Sequence, residues 1–256
     1  MNQILTGDWC VRVVIPALDE EKSIGAVLDA LGQDSVASIH VGDNGSQDAT
    51  AAIAREKGAR VVHETRRGYG SACLAALADL RQLEPDPSGQ IVVFLDADFS
   101  DDPAALLDLI SPIVEQKADF VIGSRVLGNA EPGSLQPQQR WGNALATSLI
   151  AWLYGFQYSD LGPFRAIRRD RLEQLEMQDP DFGWTVEMQI KAARHRFRIC
   201  EIPVVYRRRI GTSKISGTII GSIRAGVKIL QVIVSEAIFG ARQTRSSTSA
   251  CEMEKR

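Results

Sequence analysis

Hydrophobic and polar residues follow two periods along the chain, one typical of buried β-strands and the other of amphipathic α-helices. Short apolar, β-branched runs recur between longer segments in which apolar residues fall three or four positions apart. The runs predict strands at Val11–Ile15, Ser38–Gly42, Arg60–His63, Ile91–Leu95 and Phe120–Gly123. The longer segments predict helices at Ser23–Leu31, Ala49–Lys57, Ser71–Leu80 and Ala104–Val114. This alternation predicts an α/β fold with a Rossmann-like, doubly wound and mostly parallel sheet.

The most hydrophobic segment lies near the C-terminus, at Gly217–Phe239. At 100° per residue its polar side chains form one narrow stripe, made by Arg224, Lys228, Gln231 and Ser235. The wide apolar remainder predicts an amphipathic helix that packs on the sheet, on a second copy of the chain, or at a membrane interface. Leu145–Tyr158, with Trp152 and Tyr154, is a second apolar stretch that could share a membrane role.

These patterns divide the chain into four parts. We expect an N-terminal extension at residues 1–10, one domain at 11–216 and the amphipathic helix at 217–240. The tail at 241–256 is rich in Ser, Thr and charge, which predicts disorder.

Charge is distributed unevenly over a chain of otherwise ordinary globular composition. The 256 residues are 45% hydrophobic and 24% charged, with a net charge of −3. Residues 1–160 hold 11 basic and 22 acidic side chains, whereas residues 161–256 hold 18 basic and 10 acidic ones. The basic second part indicates a phosphate-bearing ligand or an anionic membrane surface. No nucleic-acid partner is expected.

Cysteine spacing and the N-terminus favour a cytoplasmic protein. Cys10, Cys73, Cys200 and Cys251 lie far apart without a Cys-x-x-Cys pair, so neither a zinc site nor a disulfide framework is expected. The N-terminus lacks the features of a signal peptide, and charged residues interrupt the apolar C-terminal segment. We expect a cytoplasmic location, either free in the cytoplasm or peripheral on the inner face of the membrane.

Acidic residues directly follow the predicted strands, where parallel α/β sheets bind ligands. Asp96 and Asp98 come immediately after Ile91–Leu95, and two carboxylates so close together repel each other unless a cation lies between them. Mg²⁺ or Mn²⁺ is the expected partner, since both prefer oxygen ligands and commonly bridge to phosphates. A Gly-x-Gly-x-x-Gly dinucleotide motif and a Walker lysine loop are both absent from the sequence.

Several motifs in order resemble family 2 glycosyltransferases of the GT-A fold. The matching segments are Val-Val-Ile-Pro-Ala-Leu-Asp-Glu-Glu (13–21), Asp-Asn-Gly-Ser-Gln-Asp-Ala-Thr (43–50), Arg-Gly-Tyr-Gly-Ser-Ala (67–72), Asp-Ala-Asp (96–98) and Gly-Ser-Arg (123–125). The later motifs are similar to the dolichyl or polyprenyl phosphate mannose and glucose synthases, namely Asp160–Arg165, Glu187, Glu201–Pro203 and Arg208-x-x-Gly-x-Ser213-Lys214.

The resemblance implies a role for particular residues. The nucleotide sugar would be bound by Pro16, Leu18, Glu20, Asp43, Asp96, Ala97, Asp98, Arg208, Ser213 and Lys214. Asp96 and Asp98 would hold the metal ion, and Arg125 and Arg140 would meet the acceptor phosphate. Ser100 stands where these synthases often carry a metal-binding Gln, which departs from the pattern. The structural alternative for Arg207–Arg209 is a solvated charge run, but the net positive charge of residues 161–256 favours a functional role.

The acceptor decides whether a catalytic base is needed. A phosphate oxyanion is already nucleophilic at neutral pH, whereas an alcohol needs a carboxylate within hydrogen-bonding reach. Asp160 and Glu187 are the candidate bases. Their structural alternatives are a loop cap for Asp160 and a buried partner of Arg165 for Glu187.

The resulting expectation is a metal-dependent, inverting hexosyltransferase. It would use a UDP-glucose or GDP-mannose type of donor and a polyprenyl phosphate or another membrane-associated acceptor, with a homo-oligomer allowed through the C-terminal helix. Two alternatives stay open: a glycosyltransferase for a small hydroxylated acceptor, and a non-catalytic protein that binds nucleotide sugars. A sugar nucleotidyltransferase is disfavoured, because its Gly-rich, lysine-bearing loop is missing.

Overall fold

The computed structural model describes residues 9–32, 36–211 and 226–237, and its elements alternate as the sequence predicts. The strands are β1 (Cys10–Ala17), β2 (Ser38–Asp43), β3 (Arg60–His63), β4 (Gln90–Phe94), β5 (Phe120–Ala130), β6 (Arg165–Arg168) and β7 (Ile199–Tyr206). The helices are α1 (Ile24–Leu31), α2 (Thr50–Glu56), α3 (Tyr69–Leu83), α4 (Leu106–Val114), α5 (Pro137–Tyr154), α6 (Arg169–Leu175), α7 (Trp184–Arg194) and α8 (226–237), with a 3₁₀ turn at Pro103–Ala105.

The seven strands form one sheet in the order β3-β2-β1-β4-β6-β5-β7. All neighbours are parallel except β6, which runs antiparallel to both β4 and β5. The expected α/β fold with a mostly parallel, doubly wound sheet is therefore confirmed. Its parallel strands bring the carboxyl ends of β1, β2 and β4 to the same edge.

The sheet is covered on both faces, which explains why its central strands are apolar without alternation. In β1, Val13 and Ile15 contribute to one hydrophobic cluster with α1 and α4, whereas Val14 contributes to the other with α3 and α7. All three are fully buried. A parallel strand buried on both faces reads as a continuous hydrophobic run, and this is the pattern that predicted it.

The second half of the sheet departs most from the sequence prediction. β5 runs on to Ala130, well beyond the predicted end at Gly123, because it pairs with β7 on both sides of an irregularity between Ser124 and Asn129. Short apolar runs do not mark β6 and β7. β6 has arginines at both ends, and β7 contains Glu201 and Pro203.

The described part of the C-terminal segment is helical and packs within the domain. Val232 and Ile233 of α8 are buried in the cluster that contains α5 and α7, and the Tyr154 hydroxyl donates to the Ile233 carbonyl at 2.7 Å. Val227 and Val234 remain exposed. Arg224 and the predicted disordered tail at 241–256 lie outside the described residues. Among the described helices, none is long and apolar enough to span a bilayer.

Candidate active site

A cavity of about 380 Å³ opens at the carboxyl edge of the sheet, beyond β1, β2 and β4. Parallel α/β sheets bind ligands at this edge. The register sets Ala17 at the end of β1 opposite Asp43 at the end of β2. The cavity brings together six of the residues predicted to bind the nucleotide sugar, namely Pro16, Leu18, Glu20, Asp96, Ala97 and Asp98.

Asp96 and Asp98 form the acidic part of the cavity. Asp96 Oδ1 accepts a hydrogen bond from the Tyr69 hydroxyl at 3.0 Å. Burial and the negative charge of Asp98 together raise the pKa of Asp96 to about 7. Asp98 is oriented by Ser100, whose backbone N–H and hydroxyl donate to Oδ1 at 2.9 and 2.6 Å. At position 100, where the resemblance suggests a metal-binding Gln, this chain therefore has a Ser that orients Asp98.

A third carboxyl group adds to this crowding. Asp101 is buried, and neither of its oxygens has a hydrogen-bond partner. Burial, and then the charge of Asp96, raise the pKa of Asp101 well above its ordinary value. Carboxylates that raise each other's pKa are stabilised by a cation, and their oxygens are the ligands that Mg²⁺ and Mn²⁺ prefer. The residues present therefore fit a divalent ion at Asp96 and Asp98.

The protein side chains do not complete a metal centre by themselves. In the described ranges, no group of three or more His, Cys, Asp or Glu side chains comes together as a metal-binding set. A cation at Asp96 and Asp98 would take its other ligands from water and from the phosphates of a substrate, as Mg²⁺ commonly does.

Arg209, which sequence reasoning missed as a cavity residue, lies against two of the acidic side chains of this cavity. Its Nη2 is 2.9 Å from Asp98 Oδ2 and 3.2 Å from Glu20 Oε1. Arg208, which the resemblance suggested for the donor, points elsewhere. Its Nε donates to the Pro132 carbonyl at 2.8 Å, and its backbone N–H donates to Glu131 at 2.9 Å.

The cause of this difference is the way the chain after β7 is held against the loop that follows β4. The Arg207 backbone N–H donates to the Ser100 carbonyl at 2.7 Å, and that of Ile210 donates to the Asp98 carbonyl at 2.9 Å. These bonds hold the segment against the loop that follows β4, with Arg209 facing the cavity and Arg208 facing Glu131 and Pro132. Ser213 and Lys214 lie outside the described residues.

Asp43 lies at the carboxyl end of β2 but does not line the cavity. Its Oδ2 is 3.0 Å from Nδ1 of His63, and its Oδ1 accepts the Ser46 backbone N–H at 3.2 Å. The neighbouring Asn44 does line the cavity and holds the next loop, since its Oδ1 accepts the Gly68 N–H at 2.8 Å and its Nδ2 donates to the Arg66 carbonyl at 2.8 Å. Asn44 therefore shapes the wall of the cavity, whereas Asp43 holds the backbone that follows β2.

The remaining wall contains residues that sequence reasoning did not assign. They are Arg67, Gly68 and Tyr69 at the start of α3, and Asp181 and Phe182 before α7. The Arg-Gly-Tyr-Gly motif was the available signal for the first group. No local pattern distinguishes Asp181 and Phe182, which reach the cavity only through the tertiary fold.

A second cavity of about 550 Å³ lies between β5 and α5, and both Arg125 and Arg140 line it. Arg125 forms a bidentate ion pair with Asp160, with Nε–Oδ2 and Nη2–Oδ1 distances of 2.8 Å. Asp160 also accepts the backbone N–H groups of Arg125 and Leu161 at 2.8 Å. Both Asp160 oxygens are thus engaged in orienting Arg125. Arg140 is exposed at the N-terminal end of α5.

Glu187 lies away from both cavities, beneath the loop that precedes α7. Its carboxylate accepts the backbone N–H groups of Gln178 and Asp179 at 2.9 and 2.7 Å, and it pairs with Lys191 at 2.7 Å. The alternative prediction, a buried partner for Arg165, is wrong. The Arg165 guanidinium instead donates to backbone carbonyls, including that of Thr185 at 2.9 Å.

The chain is similar to several known proteins. The family model described as glycosyl transferase family 2 matches residues 12–176. A similar curated protein is an uncharacterized glycosyltransferase of Mycobacterium tuberculosis, 36% identical over 236 residues that cover 90% of this chain and 100% of that protein. Another is the dolichyl-phosphate hexose transferase of Haloferax volcanii, 32% identical over 231 residues, or 89% of this chain and 96% of that one.

A solved structure has a similar fold at low sequence identity. Glucosyl-3-phosphoglycerate synthase of Mycobacterium tuberculosis, in complex with Mn²⁺, UDP-glucose and phosphoglyceric acid, superposes with a TM-score of 0.71. Its sequence is 23% identical, and the match covers 92% of this chain and 82% of that one. The likeness confirms the expected GT-A architecture.

Proposed function

The chain belongs to glycosyl transferase family 2, and from this premise we propose that it transfers a hexose from a nucleoside-diphosphate sugar to the phosphate of a polyprenyl phosphate, with inversion. The dolichyl-phosphate hexose transferase of Haloferax volcanii supports a lipid phosphate as the acceptor. The complex of glucosyl-3-phosphoglycerate synthase with UDP-glucose and Mn²⁺ supports a nucleotide sugar and a divalent cation.

In this proposal the donor occupies the cavity at the carboxyl ends of β1, β2 and β4. Pro16 and Leu18 contact the nucleoside, and Asp96 and Asp98 hold Mg²⁺ or Mn²⁺ on the diphosphate. A divalent cation held by Asp96 and Asp98 would neutralise the negative charge that builds on the leaving diphosphate. Arg209 lies beside Asp98 and adds a second positive group at the same place. A guanidinium suits this task because it donates several hydrogen bonds in a fixed plane.

The observation that carries the choice of acceptor is the state of Asp160 in the second cavity. An alcohol acceptor needs a free carboxylate as a base, but both Asp160 oxygens are bound to Arg125, and Glu187 lies under a different loop. Arg125 and Arg140 instead offer positive charge to an acceptor that carries a negative charge. A phosphate oxyanion needs no base, so these residues suit a lipid phosphate better than a sugar or glycerol hydroxyl.

Helix α5 connects this second cavity to an exposed apolar surface. Trp141, Leu145 and Trp152 are spaced four and seven residues apart, so they share one side of the helix. Their exposed fractions are 80%, 52% and 80%. Tryptophan is enriched where a protein meets the membrane–water boundary. We therefore assign α5 as the surface that rests on the membrane, with Arg140 close to the headgroups.

The acceptor site is tested by replacing Arg140 with Ala and measuring initial rates against polyprenyl phosphate and donor separately. Loss of one charge-assisted contact, about 1.5–3 kcal/mol, raises KM for the lipid phosphate roughly 10- to 100-fold and leaves KM for the donor unchanged. Arg55→Ala, which removes the same charge from the exposed face of α2, is the matched control and keeps both values. A change confined to the donor KM contradicts the acceptor assignment.

A further inference from the structure

The loop between α6 and α7, residues 178–183, forms part of the donor cavity although it comes late in the chain. Asp181 and Phe182 line the cavity, and the rest of the loop lies behind them. The position of these two side chains therefore depends on whatever holds residues 178–183 in place.

Helix α7 and the start of α3 hold this loop from two sides. Glu187 of α7 accepts the N–H groups of Gln178 and Asp179. On the other side, the Ser71 N–H donates to the Pro180 carbonyl at 2.8 Å. The approach is so close that a Cβ added at Gly70 would lie 2.0 Å from the Asp179 carbonyl oxygen.

Asp179 organises the loop from within. Its Oδ1 accepts the backbone N–H groups of Asp181 and Gly183 at 2.8 and 3.1 Å, and the side chain is nearly buried. The N–H groups on both sides of Phe182 are thus tied to one carboxylate. A shift of Asp179 would therefore move the backbone on both sides of Phe182, which lines the cavity.

Helix α8 supplies the counter-ion of Asp179. Lys228 Nζ lies 2.7 Å from Asp179 Oδ2, and a Cβ added at Gly183 would lie 2.5 Å from Val232 of the same helix. A second ion pair, Arg194–Glu236 at 2.7 Å, also fixes α8 to the domain but reaches α7 rather than the loop. In the described part of the helix, one ion pair thus reaches the loop and another reaches α7.

We propose that Lys228 and Asp179 are positioning residues of the donor site, through which the docking of α8 on the domain controls how firmly the nucleotide sugar is held. This rests on the proposed function, since the cavity must take a nucleoside diphosphate. When Lys228 is in place, Asp179 stays fixed and Phe182 closes the cavity wall. When α8 moves away, Asp179 loses its counter-ion and the wall loosens.

The test compares Lys228→Met with Glu236→Gln, which removes the ion pair between α8 and α7. Isothermal titration with UDP and with GDP, each with MnCl₂, measures affinity in the full-length protein. We expect Lys228→Met to weaken binding of the preferred nucleotide roughly three- to tenfold, Lys228→Arg to restore it, and Glu236→Gln to leave it unchanged. In turnover, the donor KM rises by the same factor while kcat at saturating donor holds.

Hydrogen exchange provides a readout that does not depend on ligand binding. The amides of Asp181 and Gly183 should exchange faster in Lys228→Met than in the unmodified protein, and at an unchanged rate in Glu236→Gln. Equal protection in all three proteins overturns the inference, as does an equal loss of nucleotide affinity in both variants. If the unmodified protein binds neither UDP nor GDP, the donor assignment fails. The exchange rates still show whether the Lys228–Asp179 ion pair holds the loop in place.

Discussion

Arg208 and Arg209 are adjacent residues with opposite surroundings, and only the three-dimensional path of the chain separates them. The motif match pointed to Arg208, but the side chain at the acidic cavity is Arg209. A charge run in the sequence indicates that a cation is present without saying which one faces inward. Asp96 and Asp98 were predictable because they directly follow a buried strand, whose end must lie at the binding edge of the sheet.

The partners of Glu187 also come from outside its own motif. A buried glutamate in a motif suggests catalysis, but its oxygens are fully engaged by backbone N–H groups and Lys191. Buried polar groups are usually satisfied by hydrogen bonds, and the partners here come from a loop that the sequence places eight or nine positions earlier.

Replacing each of these two arginines in turn tests the assignment at the residue scale. Arg209→Ala should weaken binding of UDP with Mn²⁺ roughly tenfold or more, because a guanidinium beside the diphosphate is lost. UMP binding should change much less. Arg208→Ala removes the same charge from an exposed position and should leave both affinities unchanged in calorimetric titration. A larger effect from Arg208→Ala would return the donor role to the residue that the motif indicated.

At the scale of elements, α5 and α8 have different relations to the domain. The apolar width of the C-terminal helix suggested a membrane helix, yet Val232 and Ile233 are buried against α5 and α7. Periodicity identified an amphipathic helix correctly but could not tell which surface would cover it. The two tryptophans of α5 are the more exposed pair, and they lie on the helix that lines the second cavity.

Liposome sedimentation shows whether α5 or α8 contacts the membrane. The double variant Trp141→Ser/Trp152→Ser should lower binding to anionic liposomes at low salt by roughly tenfold or more, because each exposed indole loses about 1.5–3 kcal/mol of burial in the interface. Val227→Ser/Val234→Ser, on the exposed face of α8, is the matched control and should bind as the unmodified protein does. Donor hydrolysis should stay constant in both.

Release by the α8 variant alone would assign the membrane surface to the C-terminal helix instead. If the unmodified protein stays in the supernatant, neither helix anchors it, and the face of α5 is free for a contact between copies of the chain.

The charge asymmetry of the whole chain matches the donor cavity but not the second cavity. Acidic residues at the ends of β1 and β4 surround the proposed metal position, and Arg209 from the basic second part lies beside them. Arg125 and Arg140, which line the second cavity, both lie in the acidic first part of the chain. The βα alternation predicted the first half of the sheet because each unit is local in sequence. The antiparallel β6 is inserted between β4 and β5, and such long-range pairing leaves no local signal.

The most direct test of the function is the chemical identity of the acceptor. The protein is incubated with radiolabelled UDP-glucose or GDP-mannose, MnCl₂ and either polyprenyl phosphate or the polyprenol of equal length, and the organic phase is counted. We expect label in the lipid only when the phosphate is present, and none with excess EDTA or in Asp98→Asn. Equal labelling of the polyprenol, or transfer only to a water-soluble hydroxyl acceptor, would contradict the lipid-phosphate function.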